Sequence, residues 1–391
     1  MRDVYVLTAA QALSASGMMT MTLLGGILGS QLAPSPGLAT LPVSCVILGL
    51  ALSTIPAALV MQRIGRRRAF IASALLASVA ACVIAWAVVR QDFVLLCASA
   101  LVLGSNLAFQ LQHRFAAAEC VRPGQVSTAI SLVMVGTLIA AALGPQFALA
   151  LKDTVPEHEY AGSFIGVAAL CLATAVVLTA YREPAGRVAH AASGTTRPLA
   201  AIVRQRSYVT AVLAGVVSYA VMSFIMTATP ISMHVHDHHS DKATAWVIQS
   251  HLIAMYAPSL FSGRLIARIG VPAGMTAGLV LMLACVLVSV SGRDLMHYWW
   301  GLVMLGVGWN LLFVAGTALL TTTYQPAERF RAQAVNEFSV FGTQAAASLL
   351  AGPAIHALGW RDMNLAALLP LAAMALALLV PLAQRSRNSR A

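Results

Sequence analysis

Few side chains in this sequence are able to do chemistry, and one short stretch gathers several of them. The stretch HVHDHHSDK, His234 to Lys242, holds four imidazoles and two carboxylates. Those donors suit zinc, nickel or copper. The segment is short, however, and His238 and His239 are adjacent, so a closed tetrahedral site needs ligands from elsewhere. Three readings stand: a solvated loop, weak metal binding by His234, His236, His238 and His239, or an external proton or metal sensor. The solvated loop is the expectation.

A second group lies in NLAFQLQHR. Asn106, Gln110 and His113 or Arg114 recur at spacings of three and four, which puts them on one face of a helix. Arg114 suits an anionic group and His113 can titrate near neutral pH. The rival reading has Arg114 reaching back to the surface along its stem. His251, in WVIQSHLIAMYAPS with Gln249 and Tyr256 nearby, and Glu337 are isolated titratable groups within long apolar runs. Each is a candidate proton carrier. The rivals are a hydrogen-bonded neutral histidine and a Glu337–arginine ion pair. Gln11, Ser14 and Met18 form one mildly polar helical stripe, and Tyr219, Ser223 and Met226 form another. Such stripes serve helix packing or contact a ligand.

What must position these residues follows from composition. The 391 residues are 59% hydrophobic and 9% charged, too apolar for one or two soluble domains. Apolar runs of about 18 or more residues recur, each long enough for a hydrocarbon core of about 30 Å. Breaks rich in proline, glycine and charge divide the chain into twelve such runs: 4–30, 39–61, 69–89, 93–117, 127–151, 161–181, 208–232, 244–266, 271–291, 298–321, 333–356 and 365–383. The first run is too long for the apolar core of a secretory signal and reads as a spanning helix. Between the sixth and seventh, Arg182 to Ser207 reads as a linker. The expected organisation is a six-helix bundle over 1–181, a cytoplasmic linker over 182–207, and a second six-helix bundle over 208–391 with a short basic tail.

The net charge of +11 forms no patch for nucleic acid. Most of the 24 basic residues fall on one side when alternate breaks are assigned to opposite faces, among them Arg63, Arg66, Arg67 and Arg68. Positive charge stays inside, so both termini are expected in the cytoplasm of a bacterial inner (plasma) membrane protein. The six cysteines show no paired spacing and read as small packing residues.

The halves repeat. QRIG at Gln62–Gly65 returns as ARIG at Ala267–Gly270, GSNLAF at Gly104–Phe109 as GWNLLF at Gly308–Phe313, and a Gly-Pro pair at 144–145 as one at 352–353, each about 205 residues on. Asn310 is thereby the repeat partner of Asn106. A paired midplane site and helix-to-helix hydrogen bonding between the flanking glycines are the two readings of that pair. A six-plus-six parallel repeat about an axis along the membrane normal is a transporter architecture.

ALVMQRIGRR, Ala58 to Arg67, resembles the loop signature G-x-x-x-D-R-x-G-R-R of the major facilitator superfamily. Arg63, Gly65, Arg66 and Arg67 match; Ala58 and Gln62 replace the glycine and the aspartate. The resemblance implies twelve transmembrane helices in two pseudo-symmetric bundles, an all-α fold, and a cytoplasmic latch between the loop arginines and an acid at Glu119. Gln62 lacks the family's charge, and Glu337 is the candidate to replace it. The Gly-Pro pairs resemble part of the fifth-span signature of the family's antiporters, with Ala140 and Ser131 at two of its glycine positions.

The expectation is therefore a secondary transporter of a small organic molecule working by alternating access, with proton-coupled export ahead of proton-coupled uptake. A membrane receptor or scaffold and a membrane enzyme are the remote alternatives, since no nucleophile, phosphate-cradling loop or metal-ligand constellation is read inside the spans. Cavity candidates are Asn106, Gln110, His113, Arg114, Asn310, Gln11 and Tyr219. Coupling candidates are His251, Glu337 and His113. The expected partners are the substrate, a proton and the bilayer, with no cofactor, no nucleic acid and a working monomer.

Overall fold

The computed structural model describes residues 1–122, 126–183, 197–325 and 328–388. They form α1 (Arg2–Leu32), α2 (Leu41–Ile64), α3 (Arg66–Arg90), α4 (Phe93–Gln110), α5 (His113–Glu119), α6 (Val126–Ala150), α7 (Ala161–Thr179), α8 (Leu199–Val203), α9 (Arg206–Pro230), α10 (Asp241–Tyr256), α11 (Ser262–Ile269), α12 (Val271–Ser291), α13 (Leu295–Thr321), α14 (Arg329–Ala366) and α15 (Leu368–Asn388). Helix is the solution for such a sequence because hydrocarbon offers backbone amides no partner. Among the described residues there is no strand.

Among the described residues, ten stretches are long and apolar enough to cross a membrane. One of them, Arg331–Leu379, is two passes, because Gly359 turns the chain at φ 72° within α14. The eighth expected span is broken rather than continuous. Pro258 has no N–H to give, so the α-helical ladder lapses after Tyr256 into a 3₁₀ turn, Ala257–Leu260, before α11 resumes. The fourth span also steps, between α4 and α5 at Leu111–Gln112.

The repeat seen in the sequence has a conformational counterpart. Gly65, between α2 and α3, has φ 81° and ψ 158°; Gly270, between α11 and α12, has φ 89° and ψ 153°. Positive φ is cheap only for glycine, which is why the RIG triplet recurs with its glycine intact.

The described chain groups into two compact units. One comprises Met1–Arg187 with Thr227–Ile253 and Ser348–Ala357; the other comprises Val188–Met226, Ala254–Ala347 and Leu358–Ala391. In the first, α2 and α4 approach until backbone touches backbone. A Cβ on Gly49 would enter the shell of the Leu101 carbonyl oxygen, and one on Gly104 that of Val46. Small residues replace hydrophobic drive as the basis of packing in lipid. Gly104→Val is expected to lower stability by about 3 kcal/mol or more, since backbone cannot swing aside as a side chain can. Thermal aggregation of the purified protein checks this; an unchanged midpoint contradicts the contact.

Candidate functional site

The polar face of the fourth span packs on α1. Asn106 Nδ2 donates to Ser14 Oγ at 2.9 Å, and its Oδ1 accepts from Ser73 Oγ at 2.7 Å. Gln110 Nε2 donates to the same Ser14 Oγ at 2.8 Å. One turn on, His113 Nδ1 donates to Gln11 Oε1 at 2.9 Å, and Gln11 Nε2 donates to Thr137 Oγ1 at 3.1 Å. Phe70 meets the His113 ring edge-on, 4.7 Å between centroids. Asn106, Gln110 and His113 are all buried. The periodicity thus places four candidates, Gln11 included, in two successive hydrogen-bonded sets between the fourth span and α1, with a small cavity beside Ser14, Met18, Asn106 and Gln110. Arg114 stands apart, half-buried, its guanidinium 4.8 Å from the Phe115 ring centre.

In the second unit, Asn310 is buried on α13 and holds the broken span. Its Nδ2 donates to Met255 O at 2.8 Å, just before the interruption, and to Ser259 Oγ at 2.6 Å, within it. The same unit gathers aromatic rings from four spans. Tyr219 of α9 lies edge-on to Trp309, Phe313 and Phe341, at 5.1, 5.1 and 5.6 Å. Trp309 stacks on Phe313 at 5.4 Å and 15°, and Tyr256 lies edge-on to it at 6.1 Å. Trp309 Nε1, Gln344 Oε1 and Asn310 Oδ1 are buried with no hydrogen-bond partner among the described residues. Each such atom costs about 1–3 kcal/mol when left unsatisfied. Of this cluster the sequence singled out Tyr219 and Asn310; Trp309 and Phe341 read as ordinary apolar residues.

Of the coupling candidates, His251 is wholly buried on α10, and Glu337 is half-buried on α14. Near His251, Gln146 Nε2 donates to Gln249 Oε1 at 3.0 Å, and Gln249 Nε2 donates to Ala142 O.

The loop arginines meet two acids, Glu119 and one that the signature does not reveal, Glu183. Arg66 Nη2 pairs with Glu119 Oε1 at 2.9 Å. The backbone N–H groups of Arg66 and Arg67 donate to Glu183 Oε1 and Oε2, at 3.0 and 3.3 Å. Arg67 Nη2 donates to Thr179 O. Glu183 therefore caps the start of α3, where free amides and the helix dipole favour an anion. Arg63 is exposed, and the side chain of Gln62 lies outside the described residues. A second acid that the sequence did not single out is Glu328, almost wholly buried. It accepts from Arg197 N, Nε and Nη2 at 2.8, 2.9 and 2.7 Å. The guanidinium contact holds its carboxyl down at about 2.

At the helix ends remote from Arg63–Arg68, the first unit joins early and late spans. Asp241 Oδ2 accepts from Lys152 Nζ at 2.9 Å and Tyr160 OH at 3.1 Å, and Lys152 also pairs with Glu159 at 2.8 Å. Glu159 and then Asp241 raise the Lys152 pKa; burial, then the Asp241 charge, raises that of Tyr160. Ser44 Oγ and Ser348 Oγ lie 2.9 Å apart, with Thr227 Oγ1 3.2 Å from Ser348. The histidine stretch adjoins this cluster. His234 Nδ1 is 3.1 Å from Asp241 Oδ1, His236 and His238 are exposed, and His239 is half-buried. Among the described residues, no group of three or more His, Cys, Asp or Glu is arranged to hold a metal.

Comparison with known proteins bears on the whole chain. The Major Facilitator Superfamily profile matches residues 6–233 and 211–391. The riboflavin transporter RfnT of Brucella anthropi is 42% identical over 93% of this chain and 91% of its own length. The uncharacterized MFS-type transporter YdeG of Bacillus subtilis is 30% identical over 90% of this chain and 85% of its own. Among solved structures, a bacterial homolog to the human lysosomal transporter Spinster, in an inward-facing and unoccupied conformation, overlays with a TM-score of 0.74. It is 14% identical and covers 97% of this chain and 96% of that one, a likeness of fold.

Proposed function

The chain belongs to the major facilitator superfamily, and on that premise we propose that it carries riboflavin across the bacterial inner membrane by alternating access coupled to protons. The observation that carries the substrate is the 42% identity with RfnT along 93% of the chain. The twelve-helix, all-α fold in two bundles is that of the family. We place the boundary between the bundles in 182–207, of which 184–196 lie outside the described residues, with both termini cytoplasmic and the monomer as the working unit.

Riboflavin is uncharged, with a polyhydroxylated side chain and a planar three-ring system. Amides and hydroxyls suit the side chain, and Asn106, Gln110 and Gln11 supply them. An uncharged cargo gives Arg114 no anion to hold, which favours its surface-reaching reading. Arg66–Glu119 serves as a cytoplasmic latch. With Glu119 41% exposed, the pair contributes on the order of 1 kcal/mol or less, so it can open in every cycle.

Riboflavin is a cofactor precursor that cells consume, which favours uptake by symport. Export is the second reading, favoured by the Gly-Pro pairs at 144–145 and 352–353. In proteoliposomes with acid outside, symport is expected to concentrate labelled riboflavin, and a protonophore to abolish the gain. Accumulation only with acid inside selects antiport. Accumulation no greater than in protein-free vesicles under either gradient contradicts the proposal.

A further inference from the structure

The aromatic cluster of the second unit carries more than packing. Rings alone fill space, and leucine or phenylalanine at 309 and 344 would do so without burying polar atoms. Here Trp309 is 4% exposed and Gln344 8%, and neither Trp309 Nε1 nor Gln344 Oε1 has a hydrogen-bond partner among the described residues. Buried indole N–H groups ordinarily find an acceptor, and an orphaned polar atom calls for an explanation. A donor and an acceptor left open beside a set of rings is the composition of a small-molecule site: apolar walls with a few oriented polar groups.

The placement supports a ligand. Tyr219, Tyr256, Phe313 and Phe341 are each only partly buried, so the cluster keeps ring surface available for another ring. Gln344 follows Phe341 by three residues on α14, one turn along the same face. Tyr256 ends α10 at the broken span, and interrupted helices are where carriers of this kind hold their cargo. Asn310 Nδ2 fixes that break through Met255 O and Ser259 Oγ.

We propose that Trp309 and Gln344, within the rings of Tyr219, Tyr256, Phe313 and Phe341, form the subsite that recognises the polar edge of a planar heteroaromatic ring, the isoalloxazine of riboflavin. This rests on the cargo proposed above. That ring carries a uracil-like edge with two carbonyls flanking an N3–H. The Trp309 indole N–H donates to a ring acceptor, and Gln344 Oε1 accepts from N3–H. The Phe341 ring stacks on the flat system, and Tyr219, nearly perpendicular to Phe341, meets it edge-on, both geometries that aromatic pairs favour.

The test is riboflavin binding to the purified full-length protein in detergent, read by quenching of flavin fluorescence. Wild-type protein is expected to bind riboflavin and to bind 3-methylriboflavin, which lacks the N3–H, about tenfold more weakly. That arm requires no variant to fold. Trp309→Phe is expected to weaken riboflavin about tenfold. Gln344→Leu is expected to weaken riboflavin similarly and to bind the two ligands equally, a convergence that general loss of packing does not produce. Trp300→Phe, at an exposed tryptophan, is expected to change nothing. If wild-type protein binds both ligands alike, or if the variants keep wild-type affinity, the subsite is wrong and the cargo stands. If wild-type protein binds no riboflavin, the cargo falls and the subsite with it.

Discussion

Oxidative cross-linking of Ser44→Cys to Ser348→Cys is expected to stop transport completely, and reduction to restore it. Ser44 lies near the start of α2 and Ser348 in α14, 304 residues apart in sequence, with their Oγ atoms 2.9 Å apart. Two sulfurs at these positions need only small rotamer changes to reach bonding distance. The neighbouring contacts belong to the same junction. Thr227 reaches Ser348, a Cβ on Gly352 would strike Thr40 and Gly37, and Asp241 holds Lys152 and Tyr160. In the orientation proposed above, with both termini cytoplasmic, this is the external side. A carrier that alternates its access must part early from late spans there in each cycle, and a covalent bond forbids it. The six native cysteines are all free, so the experiment uses a background in which they are replaced. Full transport by the cross-linked protein contradicts an external gate at this junction.

The second large effect is on coupling. A proton-driven carrier needs a group that binds a proton in one conformation and releases it in another, and ionisable groups within spans are expensive enough to be few. Arginine holds its proton at any working pH, so Arg114 cannot serve, and the candidates are His113, His251 and Glu337. His113 is tied to Gln11 and Phe70 within the first unit. His251 is wholly buried on the span whose continuation is broken. His251→Ala or Glu337→Gln is expected to reduce accumulation driven by a pH gradient to the level of protein-free vesicles, while exchange at equal pH persists. Replacing His234, His236, His238 and His239 together is expected to do much less, since two of the four are exposed. Full gradient-driven accumulation by the triple variant His113→Ala, His251→Ala, Glu337→Gln removes proton coupling from these groups.

What the sequence made legible is what local periodicity and charge control. Twelve apolar runs emerge because each must span hydrocarbon by itself. The shared face of Asn106, Gln110 and His113 emerges because three- and four-residue spacing fixes direction on a helix. The paired RIG glycines emerge because positive φ tolerates little else. Other features depend on partners distant in the chain. Asp241 meets Lys152 across 89 positions and Glu328 meets Arg197 across 131, and no spacing rule announces either. Pro258 was visible in YAPS, yet whether a proline bends or breaks a span depends on what satisfies the freed backbone, here in part the Asn310 amide. Trp309 was hidden for another reason: within apolar runs, an aromatic residue that packs and one that awaits a ligand read alike.

Whether the chain carries riboflavin, as proposed, is read from counterflow. Proteoliposomes loaded with unlabelled riboflavin are diluted into a trace of labelled riboflavin at equal pH, with no ion gradient. A carrier that returns loaded traps label inside transiently above its equilibrium level, and that overshoot is the result expected here. A labelled pool that only rises to equilibrium, at the rate of protein-free vesicles, contradicts the account.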